Sequence, residues 1–128
     1  MAALEFALLA PALLMLVFAI IIYSFWFSAL MCVRQAASEG ARAAMAGLST
    51  TERATLARAR AQAVITGYGA LLSSGGSPQI DAGADGTGVF KVRVSYDMSG
   101  STLMRYAGFI PMPSTNLSAS VIVTNGSY

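Results

Sequence analysis

Histidine is absent from this 128-residue chain, and cysteine occurs once, as Cys32. A metal site built on Cys and His is thereby excluded, and so is an intrachain disulfide. Charge is scarce as well. Only 11% of the residues are charged, eight basic and six acidic, for a net charge of +2; ordinary soluble domains are nearer a quarter charged. So small a surplus, with no basic stripe interleaved with aromatics, lacks the electrostatic footprint of a nucleic-acid binder. The six acids are scattered. Asp81 and Asp85 flank the Gly-rich turn DAGADG, yet the further oxygen ligands of a calcium loop are missing, and turn chemistry accounts for them. No phosphate loop or nucleophile motif is present. No enzymatic activity, metal or cofactor is expected.

What the chain has in abundance is apolar sequence: 55% of it is hydrophobic, with a mean hydropathy of +0.62. From Phe6 to Val33 runs FALLAPALLMLVFAIIIYSFWFSALMCV, 28 residues without a charge. A helix needs roughly 20 to cross a ~30 Å hydrocarbon core. A secretory signal is shorter and opens on basic residues, and this run does neither. Residues 1–33 are therefore expected to form a membrane-crossing helix. Glu5 stands at its mouth, an acid at the edge of a low-dielectric phase, where an unpaired charge marks function. Cys32 at the far end is expected to be a small apolar residue of the membrane helix.

Orientation is harder to read. The first basic residues, Arg34 and Arg42, follow the run, which by the positive-inside rule would put the remainder in the cytoplasm. The conflict disappears if Met1 is the first residue of a processed chain whose basic leader has been removed.

The first helix is expected to continue past the run, through RQAASEGARAAMA at 34–46, because Ala, Arg, Gln, Glu and Met are good helix formers. Glu39 and Arg42 stand three apart on one face. Gly40 weakens the helix or permits close packing against a neighbour. A helix over residues 2–46 would be about 68 Å long. Pro11 deletes a backbone hydrogen bond, so a kink or a short unwound stretch is expected there. It is either an ordinary transmembrane kink or a flexible point in a packed array.

Gly47 ends that helix, and Ser49-Thr50-Thr51-Glu52 reads as a capping box opening a second helix over 49–73. Leu56, Ala59, Ala63, Gly67 and Leu71 would form its buried stripe, with Arg53, Arg58 and Arg60 on a solvated face. Gly75-Gly76-Ser77-Pro78 stops it.

Beyond Pro78 the pattern changes to period two. In Val89–Met98, residues Phe90, Val92, Val94, Tyr96 and Met98 share the apolar face; in Asn116–Asn125, Leu117, Ala119, Val121 and Val123 do. Gln79–Ala82 reads as a short edge strand. The fold class expected is α+β: a long N-terminal apolar helix, a second helix, and an antiparallel sheet of about three strands over 79–128. Residues 34–128 would form the globular head. Between the strands, Met104, Tyr106, Phe109 and Ile110 make a loop too apolar for a plain surface connection. It is either a core lid, slightly favoured, or a contact patch for another subunit. Asn116-Leu117-Ser118 and Asn125-Gly126-Ser127 match the glycosylation sequon, a short pattern that arises often by chance.

Glu5 at the fifth position of an apolar helix beginning at Met1 resembles a processed type IV pilin. The longer run LEFALLAPALLMLVF, with RQAASEGARAA downstream, resembles the TadE-like branch of tight-adherence systems, over residues 1 to about 47. The resemblance implies a prepilin whose leader is removed by a prepilin peptidase and whose new amino terminus is methylated. The subunit would pass from the bacterial inner membrane into an extracellular pilus serving adhesion, through an assembly platform and its ATPase. Its partners would be other copies of itself, with no nucleic acid involved. Met1 and Glu5 would be the assembly residues. Phe6, Leu9, Leu13, Leu16, Val17, Ile20, Phe25 and Trp26 would pack the filament core. The positively charged α-ammonium of Met1 would pair with Glu5 of a neighbour and fix register. The alternatives are a minor pilin or pseudopilin, or a single-pass accessory protein whose Glu5 merely sits among headgroups.

Overall fold

The computed structural model describes residues 1–69, 77–101 and 114–124. Helix α1 spans Ala2–Ala44, 43 residues, and is about 65 Å long. It passes through Pro11 without a break, so the unwound stretch is not formed. The surrounding Ala, Leu and Met residues propagate helix strongly enough to carry the chain past one lost bond. It ends two residues earlier than the composition suggests. Met45, Ala46 and Gly47 each donate a backbone N–H to the carbonyl three residues back, at 3.3, 3.2 and 3.1 Å, which tightens the last turn and satisfies terminal carbonyls.

Helix α2 spans Thr50–Gly67. Its N-terminus forms as the capping-box pattern implies, with one shift. Ser49 Oγ accepts from the Glu52 N–H at 3.1 Å, but the Glu52 carboxylate reaches back to the N–H of Leu48, one residue before the cap, at 3.0 Å. Ser49→Ala should therefore lower head stability by about 1 kcal/mol; thermal unfolding of the detergent-solubilised chain, compared with wild type, checks it.

Three expectations about α2 are corrected. Its buried residues are Ala57, Ala61 and Ile65, with Ala54, Val64 and Tyr68 partly buried. Ala59, Ala63 and Gly67 are exposed instead, and Leu71 lies outside the described residues. The helix also closes at Gly67 with Tyr68 as C-cap, short of residue 73, where Gly67 and Gly69 weaken propagation. The arginines are not one solvated face either. Arg53 folds back and donates Nε to the Gly47 carbonyl at 3.0 Å. Arg60 pairs with half-buried Glu39 of α1 at 3.6 Å, beside the Arg42–Glu39 pair at 3.8 Å; with both guanidinium groups open to water, such pairs contribute little.

The helices meet through small residues: Ala36, Ala37, Gly40, Ala41 and Ala44 of α1 are buried. At Gly40 an added Cβ would lie 3.0 Å from the Ala57 carbonyl oxygen, 3.3 Å from Val92 Cγ1 and 3.4 Å from Ala61 Cβ. Close approach is thus the use of this glycine. Gly40→Ala should come out near neutral, since about 1 kcal/mol of helix propensity gained opposes the crowding. Gly40→Val should lose roughly 1–3 kcal/mol by overpacking, read as a lowered midpoint of chemical unfolding.

The sheet comprises β1 (Gln79–Ala84), β2 (Val89–Asp97) and β3 (Asn116–Thr124), antiparallel in the order β1-β2-β3. Ala84 faces Phe90 and Asp81 faces Arg93 across the first pair; Val89 faces Thr124 and Asp97 faces Asn116 across the second. The β1–β2 turn needs Gly86 and Gly88, at φ 102° and 70°, a region that side chains rarely adopt. At the far end of β2 the Ser99 N–H donates to Asp97 Oδ1 at 3.0 Å, and this bond holds the carboxyl below the usual carboxylate range. The period-two reading holds: Phe90, Val92, Val94, Tyr96 and Leu117 are buried, with Ala119, Val121 and Val123 half-buried beside them. One face of the sheet lies on the two helices, giving the α+β layout.

The core reaches further down α1 than the end of the apolar run suggests. Ala29, Cys32 and Val33 are buried in one cluster with Ala36, Ala37, Ile65, Val94, Tyr96 and Leu117, and Trp26 and Leu30 pack against it. Ile22 is fully buried too. Cys32 is therefore a residue of the head core rather than of a lipid-facing helix. The head core thus takes in α1 residues from Trp26 onward, inside the apolar run.

Candidate assembly surface

Nearer the N-terminus the picture changes. Every residue from Ala2 to Val17 except Ala10 is exposed: Phe6 is 73% and Leu8 71% accessible, Leu9, Leu13, Leu16 and Val17 are likewise exposed, and Ile20 is exposed beyond half-buried Phe18 and Ala19. The most apolar stretch of the helix is almost wholly unburied, unlike the core helix of a soluble protein. A surface of this size on an isolated soluble molecule would be an association or membrane site by default. Ala2–Ile21 is 20 residues, about 30 Å of helix, which matches the hydrocarbon thickness. This geometry is consistent with anchoring in a membrane.

Glu5 lies in the first turn of α1, where a negative charge is favoured by the helix dipole. Its backbone N–H closes the turn on the Met1 carbonyl at 3.2 Å. Among the described residues its carboxylate has no ion-pair partner. A single copy thus presents a carboxylate and an N-terminal ammonium at one end of an apolar rod, without joining them. The chemistry such an end can perform is pairing, not catalysis.

The structure sorts the residues singled out from the sequence into three groups. Met1, Glu5, Phe6, Leu9, Pro11, Leu13, Leu16, Val17, Ile20 and Phe25 are exposed on α1. Trp26 belongs elsewhere. It is half-buried against the head core, and its indole Nε1 donates to the Ser114 carbonyl at 2.8 Å. An indole packs its apolar body only where its N–H finds an acceptor, and the approach to β3 supplies one. Met104, Tyr106, Phe109 and Ile110 lie outside the described residues. Sequence reasoning missed Ala29, Cys32 and Val33 as head residues, because nothing in a uniformly apolar run marks where its packing partner changes.

Residues 1–42 match the family described as TadE-like protein. The matched segment is α1 to within two residues of its end, so the long helix of this chain is TadE-like, a likeness that associates the chain with Tad pili. No curated protein and no solved structure matches the chain.

Proposed function

We propose that this chain is a pilin: a structural subunit of a Tad-like pilus that polymerises through its N-terminal helix. The observation that carries the reading is the N-terminal stretch of α1, exposed around the helix from Ala2 to Val17 save Ala10, and bearing one carboxylate with no ion-pair partner among the described residues. Lipid covers the apolar surface before assembly, and neighbouring helices cover it afterwards. The charge needs a partner in both settings. In the polymer, Glu5 pairs with the Met1 ammonium of an adjacent copy, which sets the register between subunits. Apolar burial, at about 25 cal/mol per Å2, supplies the affinity without specifying where each subunit stops. The role is structural rather than catalytic, and the protein resides in the inner membrane and then in an extracellular fibre that serves attachment. A prepilin peptidase, an assembly platform and an ATPase act on it.

The test is intact-mass and N-terminal peptide mass spectrometry on fibres sheared from the cell surface. A peptide beginning at Met1 and carrying one methyl group, with the chain as the abundant fibre component, is the expected result. A trace component would indicate a minor pilin. Protein found only in the membrane fraction, with no fibre, would overturn the proposal in favour of a membrane accessory protein.

A further inference from the structure

We infer that strand β3 of one copy pairs, in parallel, with strand β1 of the next, so that the sheet runs on from head to head in the fibre. The inference rests on the polymer reading above. In the order β1-β2-β3, β1 and β3 are the two edges, and among the described residues neither carries a strand on its outer side. A bare edge is a row of backbone donors and acceptors that invites pairing, and proteins usually blunt it with charge, proline or a bulge. Strand β3 has none of these. NLSASVIVT is nine residues long, pairs with β2 residue for residue, and holds no charge and no proline. Its apolar side chains are also incompletely covered: Ala119, Val121 and Val123 are only half-buried on the inner face, and Ile122 is 57% exposed on the outer one.

Strand direction decides which edge meets it. Leu117, at the start of β3, packs with Ala29, Cys32 and Val33, whereas Val123, near its end, packs beside Ala41 and Ala44. Strand β3 therefore runs the same way as α1. Both edge strands are antiparallel to β2, so β1 runs that way too. Copies drawn from one membrane keep their long helices pointing alike. A β3–β3 pairing would either reverse one helix against the other or turn one head's helices to the opposite face of the sheet. Strand β1 of the next copy is the edge that avoids both. The register then matches face for face. Gly83, Lys91 and Ile122 share one row of the sheet, and Asp81, Arg93 and Ser120 another. Continued without a shift, the sheet sets Ile122 beside Gly83 of the next copy, where nothing lies within 4 Å of an added Cβ and another chain has room to approach. The second row sets the Ser120 hydroxyl, a donor, beside the Asp81 carboxylate, an acceptor. On the inner face half-buried Val121 meets half-buried Ala82. A slip of one residue would put every apolar side chain on the wrong face.

The experiment coexpresses two variants of the full chain, Ile122→Cys and Gly83→Cys, in cells that assemble fibres, and treats the sheared fibres with a short bismaleimide. A covalent dimer joining one variant to the other is expected, with none when either is expressed alone; the native Cys32 is buried and common to every sample. Fibres that give no mixed dimer, or that give dimers from Ile122→Cys alone, would overturn this inference while leaving the polymer reading intact. Absence of the wild-type chain from sheared fibres would overturn both. A charge substitution gives a second readout. Ser120→Asp sets a carboxylate opposite Arg93 within the head but beside Asp81 of the next copy, where like charges repel. Head melting should hold or rise while surface fibre falls, and Asp81→Asn in the same chain should restore the fibre. Fibre unchanged by Ser120→Asp, or not restored by Asp81→Asn, would count against the pairing.

Discussion

Glu5→Ala should leave the chain in the membrane at wild-type abundance and strip fibre from the cell surface. The two halves of that result have separate causes. Insertion is driven by the apolar run around Glu5, and removing an acid from its edge makes insertion easier rather than harder. Assembly depends on the same acid differently. In a polymer the Met1 ammonium of one subunit lies among apolar neighbours, and deleting its partner leaves an uncompensated charge. Breaking a buried pair in this way costs roughly 3–5 kcal/mol. Repeated at every subunit contact, that loss outweighs what a helix without fixed register recovers by apolar burial. Among the described residues of the single copy Glu5 makes no ion pair, so the variant removes no described contact of the head. Quantitative immunoblots of membrane and sheared fractions read both halves at once. Normal piliation of Glu5→Ala would sink the register argument, and an equal fall in both fractions would show that Glu5 serves insertion.

Much of the architecture was legible because it is written locally. The Ser49–Glu52 cap needs four residues, and the alternation in Val89–Asp97 needs nine; the cap forms, and the strand turns its expected apolar face inward. The lone acid at the head of an apolar run was equally plain, since contrast with its surroundings marks it. Where contrast fails, so does the reading. Helix α2 carries alanine on nearly every face, so hydrophobic spacing alone does not choose between Ala59–Ala63 and Ala57–Ala61. The choice is made by shape: a carbon added to Gly40 would lie 3.0 Å from the Ala57 carbonyl oxygen and 3.4 Å from Ala61 Cβ, so the helices meet along a seam that only small residues fit. The apolar run fails in the same way. Trp26, Cys32 and Val33 look like their lipid-facing neighbours in sequence, and only the arrival of β2, β3 and α2 assigns them to the head.

That reassignment sets the largest stability effect expected of this protein. A fragment beginning at Arg34, where the run ends, should fail to fold cooperatively, whereas one beginning at Ile22 should melt as a single transition. The shorter fragment lacks Ala29, Cys32 and Val33, all buried, together with Trp26 and Leu30 packed beside them. Burial of a residue such as Val33 contributes about 1.5–3 kcal/mol, and with Trp26 and Leu30 partly buried the five together supply about 5 kcal/mol or more. A head of about 95 residues has only about 5–14 kcal/mol of net stability to lose. The deficit also falls in one place, beneath Val94, Tyr96 and Leu117, so the sheet would lose its covering rather than a scattered set of contacts. Circular dichroism melts and dye binding on the two fragments decide the matter. If the fragment from Arg34 melts cooperatively at the midpoint of the longer one, residues 22–33 are not structural members of the head. They would then return to the membrane span.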